Sequence, residues 1–418
     1  MRKAGRYTAA LLLIAVGSAV IIDKYASLHL TALLVEWWPI LFISLGLEYI
    51  LLNMRYGESD KQLRLDLRGV VFAVLISAVV IGSTNTAALF QNWTGAFDFG
   101  KSFVTSTMGG EGRKFSKEAE LISLPSDLDR ISIHNESNGS ITIQSGSGSQ
   151  LQVEATVYVA LDDEKEAAEI ANQTQVKQSF NGHTLQLVAE GGEYGGEFWS
   201  RKRPAIDLVI TVPAQLQANM DVELTNGRLK ADQLALKKQL KIRTTNGEIQ
   251  LTGIEADIDL ESTNAQVTTS ATKGRLKLST TNGSIEAGNH EGDAELESTN
   301  GELRLTGVTG DIKASTTNGN IKIVEALRSL KAETTNGDLE ITSHAVNGEW
   351  DLETNHGKMN LALPSNGDYR VKGEANKGNI QTALPLQVRK DNIEGSIGNG
   401  KNLIKLDTKG SLTITVAK

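Results

Sequence analysis

A Thr-Asn pair returns at a nearly fixed interval through the C-terminal half of this 418-residue chain. The pairs begin at 225, 245, 263, 281, 299, 317, 335 and 354, and Ala375-Asn376 follows as a variant. The intervals are 20, 18, 18, 18, 18, 18, 19 and 21 residues. A short fixed period marks a solenoid, because one such unit is too small to bury its own apolar face and must close it against its neighbours. Inside the unit, apolar residues stand two apart, which is strand spacing. After each Asn they fall at Ile249/Leu251, Ile285/Ala287, Leu303/Leu305, Ile321/Ile323 and Leu339/Ile341; before the next they fall at Ile258/Leu260, Leu276/Leu278, Ala294/Leu296 and Ile312/Ala314. The slots between carry charge, as with Glu248, Arg304 and Lys322.

Each unit therefore reads as two short strands and two bends. One bend is Asn-Gly, where glycine accepts the left-handed backbone of a tight turn; the other carries pairs such as Gly292-Asp293 and Gly310-Asp311. Stacking predicts one column of Asn226, Asn246, Asn264, Asn282, Asn300, Asn318, Asn336 and Asn355. A second column holds Gly227, Gly247, Gly283, Gly301, Gly319 and Gly337. Together they form a structural turn ladder with rungs about 4.8 Å apart, and eight or nine coils span roughly 40 Å. The coil at 263–280 departs, with Ala265 in the glycine place and Thr269 at an apolar slot, and is expected to be the softest. His356 adds a residue between Asn355 and Gly357.

Upstream, 221–418 is preceded by alternating runs (ISIHNESNGSITIQ, QLQVEATVYVAL, HTLQLVAE, IDLVITVP) that place 119–220 in the same β structure. A helix-like patch at 162–175 interrupts them as a cover, and GGEYGGEF at 191–198 reads as an exposed loop. Residues 91–118 lack periodicity and read as an extracellular linker.

The first 90 residues are a different material. Three apolar runs predict membrane helices at about 7–25, 28–52 and 69–90, since a crossing takes about 20 mainly apolar residues. Arg2, Lys3 and Arg6 precede the first, Arg55, Lys61, Arg64 and Arg68 separate the second and third, and Lys24 alone lies between the first two. The positive-inside rule then puts the N-terminus in the cytoplasm and the β part outside a multi-pass cell membrane, with the lipid bilayer as a partner. A cleaved signal peptide would want small neutral residues where Asp23 and Lys24 stand. Glu36 falls at the outer interface beside Trp37 and Trp38; Glu48 reads equally as an interfacial residue or a functional intramembrane carboxylate.

Two resemblances follow from these residues. WWPILFISLGLEYILLN and the run before it resemble the membrane region of LiaI/LiaF-like proteins, which implies a Gram-positive envelope-stress system. The stretch SNGSITI at 137–143, the strand IDLVITVP, the serial T-T-N-G turns and the closing GSIGNGKNLIKLDTKGSLTITV resemble a bacterial "putative adhesin" β-strand-repeat family. The second resemblance implies a right-handed, parallel β-helix. The fold class expected is an α-helical transmembrane domain followed by an all-β, parallel β-solenoid.

Catalytic chemistry finds no foothold in the residue pattern. The chain has no Cys, which excludes disulfide scaffolds, thiolate sites and Cys nucleophiles, and its net charge of −8 excludes the basic footprint of a nucleic-acid binder. The six His (29, 134, 183, 290, 344, 356) share no ligand spacing, so no metal or cofactor is expected. Gly395–Lys401 (GSIGNGK) has part of a phosphate-loop pattern, but no helix pattern follows and a closing β turn is the better reading. Outward acids alternate with bases instead of clustering as glycoside chemistry needs. The expectation is a non-enzymatic envelope protein. It acts either as an accessory or sensor whose helices meet a membrane histidine kinase or another envelope-stress protein, or as an adhesin or scaffold that binds cell-wall polymer.

Overall fold

The computed structural model describes residues 112–195, 201–214, 216–376 and 379–417, together with Lys3, Ala4, Glu48, Arg64 and Leu65. The chain divides into two units, 1–103 and 104–418. In the first, Lys3–Ala4 pairs in parallel with Arg64–Leu65, and Glu48 is helical and buried. The expected membrane helices, Glu48 apart, and the linker up to 111 lie outside the described residues. Among the described residues no helix is long and apolar enough to cross a membrane.

The second unit is a stack of parallel coils. Strands such as Leu276–Thr280, Ala294–Ser298, Ile312–Thr316 and Leu330–Thr334 pair in register along one side. Ile285–Glu291, Leu303–Val308, Ile321–Ala326 and Leu339–Thr342 pair along the next. In each strand the residues two apart that the sequence marks as apolar point inward and are fully buried, for example Leu303 with Leu305 and Ile321 with Ile323. One continuous core runs from Ile122 to Ile414.

Six successive coils turn three times rather than twice. The third bend is a column of left-handed residues, Gln233 (φ 54°), Gly253 (64°), Ala271 (52°), Asn289 (51°), Gly307 (65°) and Glu325 (64°). Each lets the next side chain, Leu234, Ile254, Thr272, His290, Val308 or Ala326, point inward three residues after the last buried one. The bend left no trace in the sequence pattern because six positions share no residue type.

The stack is longer than the repeat count suggests. Twelve strands follow one another in parallel along the first side, from Thr184–Glu190 to Tyr369–Ala375. At about 4.8 Å per step they span about 53 Å. Both ends are threaded out of chain order. The first coil, Arg130–Asn135 with Ile141–Gly146, lies between 219–232 and an outer coil made of Thr184–Glu190 and Ala205–Pro213. The last coil, Asn402–Thr408 with Leu412–Val416, slides between Trp350–Leu363 and the outer Tyr369–Thr382. Antiparallel strands then flank each end.

Of three opening features, the helix stands where the pattern at 162–175 placed it and the other two differ from the expectation. Arg113–Ser116 is a strand against Leu151–Val159, not linker. The helix is Glu164–Gln173, capped by the Asp163 carboxylate on the backbone N–H groups of Lys165 and Glu166, and it buries Ala167 and Ala171. Tyr194 is anchored rather than looped out: its hydroxyl accepts the Ala160 N–H at 2.9 Å, in a small second core with Val157 and Val159.

Candidate functional site

The turn ladder predicted from the repeat is the most ordered polar feature of the molecule. Each Asn side-chain amide donates Nδ2–H to Oδ1 of the Asn one coil earlier: Asn226 to Asn138 (2.9 Å), Asn246 to Asn226 (2.6 Å), Asn264 to Asn246 (2.7 Å) and Asn282 to Asn264 (2.8 Å). Asn300, Asn318 and Asn336 continue it at 2.7, 2.7 and 2.8 Å. All seven bonds point the same way, so each amide polarises the next. Asn138 is a rung that the repeat search missed, because 88 residues separate it from Asn226. Asn355 is not a rung. The extra His356 displaces it, and its Oδ1 accepts from Lys409 Nζ at 2.8 Å.

The glycine column has a different cause from the one expected. Gly227 (φ 147°) and Gly247 (φ 143°) do take a backbone that L side chains avoid. Gly283, Gly301, Gly319 and Gly337 do not. What they share is proximity: a Cβ on Gly301 would stand 1.8 Å from the Gly283 carbonyl oxygen, and one on Gly319 2.0 Å from that of Gly301. The conformational change falls at Ala265, which cannot adopt the φ of its predecessors. Asn219–Asp232, Ala235–Thr252 and Glu255–Lys273, the last with Ala265 inside it, run as unbroken strands through the bend; in the coils that follow, the bend interrupts pairing.

Beside the glycines stands a column of buried hydroxyls. Ser298, Thr316, Thr334 and Thr354 each donate to the glycine carbonyl of the preceding coil, Gly283, Gly301, Gly319 and Gly337, at 3.2, 3.1, 2.9 and 2.8 Å. This explains the first Thr of T-T-N-G. At the Ala265 coil the pattern fails, and Ser262, Thr269 and Thr280 have buried hydroxyls without a hydrogen-bond partner.

The outer faces carry charge in register. Arg228–Glu248 (3.1 Å), Arg243–Glu261 (3.5 Å), Arg275–Asp257 (3.2 Å) and Lys322–Glu340 (3.0 Å) pair across adjacent coils. Lys313 binds Glu295, an interaction that holds the Glu295 carboxyl below its usual range and raises the Lys313 ammonium. Such pairs neutralise the surface and add little stability. Asp carboxylates also cap the next coil: Asp257 Oδ1 accepts the Arg275 N–H at 2.9 Å and Asp293 Oδ1 that of Asp311 at 2.9 Å.

Among the described residues no group of three or more His, Cys, Asp or Glu is arranged to hold a metal ion. His134 and His183 face Glu223 (3.6 Å) and Asp127 (3.0 Å) singly, and His344 pairs with Glu325. His290 is buried: its Nδ1 lies 2.9 Å from Thr272 Oγ1 and its Nε2 3.2 Å from the Asp293 carbonyl oxygen. A carbonyl only accepts, so Nε2 carries the proton and the Thr272 hydroxyl donates to Nδ1. Gly395–Lys401 begins in the strand Asn392–Ile397 and ends in a turn with Gly398 at φ 61° and Gly400 at φ 66°, and another strand follows it. Among the described residues, two of the clefts lie at the ends of the stack. One of about 400 Å³ opens beside the helix over Val153, Ala155 and Val157. The other, of about 860 Å³, gathers Lys372, Arg389 and Lys405 with Glu374, Glu394 and Asp407.

No curated protein matches the chain. Three solved structures are similar in part. A "putative adhesin" from Parabacteroides merdae is 17% identical, covers 61% of this chain and 98% of its own, and has a TM-score of 0.38. A "putative adhesin" from Bacteroides fragilis is 13% identical, with 73% and 97% coverage and a TM-score of 0.30. A "putative cell adhesion protein" from Clostridium sporogenes is 12% identical, with 72% and 99% coverage and a TM-score of 0.20. The Toastrack DUF4097 family matches residues 128–415, from the first buried strand through the last coil. The chain belongs to the Toastrack DUF4097 family.

Proposed function

We propose that this protein is a non-enzymatic, membrane-anchored component of a bacterial cell envelope, which displays its solenoid outside the cell as an accessory or sensor of the envelope-stress response. The reading rests chiefly on one observation: three apolar runs with an alternating Lys/Arg distribution occupy the first 90 residues, immediately upstream of the β domain. One helix would suffice to tether a rod, so three favour a membrane part with partners of its own, such as a histidine kinase. Along the coil faces away from the end clefts, charges pair off coil by coil, which supports a non-enzymatic role.

The test compares envelope-stress transcription in a deletion strain carrying either residues 1–90 or the full chain. Restoration by 1–90 alone supports the regulatory reading. If only solenoid-bearing chains restore output, and these alone change attachment or binding to purified wall polymer, the protein is an adhesin or wall scaffold whose helices merely hold it in place.

A further inference from the structure

Among the described residues, one end of the stack carries an uncovered strand. Gln175–Asn181 pairs there with Thr184–Glu190 alone, in antiparallel register. Six of its seven residues are exposed, and the helix Glu164–Gln173 packs on Leu151–Val159 and Arg113–Ser116 rather than over this edge. A regular edge of this length templates pairing unless proline, charge or cover prevents it. The segment QVKQSFN has no proline, and its single charge, Lys177, is neutralised by Glu190 of the neighbouring strand. Val176, Gln178 and Phe180 stand opposite Ala189, Leu187 and Leu185, so they continue the core face beyond the end of the core. Phe180 is left 48% exposed there.

We propose that this edge is a two-fold interface with a second copy of the chain, formed by antiparallel pairing of Gln175–Asn181 with itself. A two-fold axis normal to the sheet must match core face to core face, so it passes through a residue position. Centring on Lys177 sets two ammonium groups directly opposite, which is unfavourable. Centring on Ser179 sets Phe180 against Gln178. Centring on Gln178 sets Val176 of one copy against Phe180 of the other and Lys177 against Ser179. That register alone buries apolar against apolar, opposes no like charges and satisfies the free backbone of both edges. The two stacks then share one continuous sheet.

The chain has no Cys, so single substitutions report without background. Gln178→Cys, Val176→Cys and Phe180→Cys are made in the full-length protein, oxidised in native membranes with copper phenanthroline, and scored as disulfide-linked dimer on non-reducing gels. Directly opposed residues have Cα atoms about 4.5–5.5 Å apart, within disulfide reach. Positions 176 and 180 meet their own copies only about 14 Å away. The expected result is dimer at Gln178→Cys in at least tenfold excess over the other two. Adding Ser179→Lys, which faces Lys177, should cut that yield severalfold, and Ser179→Glu should preserve it. Equal yields at the three positions, a maximum at 176 or 180, no dimer at Gln178→Cys, or capture there of a different protein would each overturn the proposal.

Discussion

At the scale of single residues, the repeat is written in atoms that must be absent. Gly301 is required because its neighbour's carbonyl occupies the place of a Cβ, not because its backbone is left-handed. Gly301→Ala and Gly301→Asn should therefore be equally harmful, each costing about 3 kcal/mol in urea unfolding through forced displacement of the coil below. An Asn that restored stability would show the turn to be left-handed after all. The opposite case is Ala271, whose φ of 52° is strained for an L residue. Ala271→Gly should stabilise by about 1 kcal/mol, read as a raised urea midpoint at unchanged slope. Neither fact was readable beforehand. A T-N-G motif is compatible with a left-handed turn or with close backbone approach, and a bend whose six members are Gln, Gly, Ala, Asn, Gly and Glu presents no motif at all.

At the scale of the coil, three irregularities gather around Ala265, and their cause is local. Ala265 changes the bend, the hydroxyls of Ser262, Thr269 and Thr280 lose their acceptors, and Thr272 and His290 insert a polar pair into a column otherwise made of Leu234, Ile254, Val308 and Ala326. Thr269→Val keeps the shape and removes an unsatisfied buried hydroxyl, so it should stabilise by about 1–2 kcal/mol in the same unfolding assay. Burial holds the His290 imidazole below its ordinary value of 6.5, outweighing the hydrogen bonds that favour its charged form. The unfolded chain then takes up the proton first as the pH falls. Stability contributed by neutral His290 is present above about pH 6.5 and is lost progressively below it. Thermal unfolding followed from pH 7.5 to 5 should show this decline, and His290→Val should flatten it. An unaltered slope in His290→Val would assign the decline to other groups. The sequence located this coil through Ala265 and Thr269, because both break a periodic pattern; it did not reveal His290 as a core residue, since the third bend that turns it inward is invisible in the pattern.

At the scale of the molecule, the interior coils were legible and the ends were not, for one physical reason. Interior coils pair with their neighbours in chain order, so an 18-residue period encodes both the strands and their partners. At the ends, Arg130–Asn135 and Asn402–Thr408 are each inserted beneath a coil that lies nearer the middle of the chain, and that choice depends on long connections with no local signal. The threading pins both termini of the solenoid and leaves short antiparallel edges outside. The central claim is that interior coils are interchangeable layers held in register, and a deletion tests it most directly. Removing the 18 residues 303–320 joins Glu302 to Ile321 and restores the repeat; removing the 17 residues 303–319 turns Lys322 inward and Ile321 outward. Measured by urea unfolding, the 18-residue deletion should keep one cooperative transition within about 2 kcal/mol of the parent, whereas the 17-residue deletion should lose it. Equal tolerance of both deletions, or collapse of both, would contradict a stack of equivalent coils.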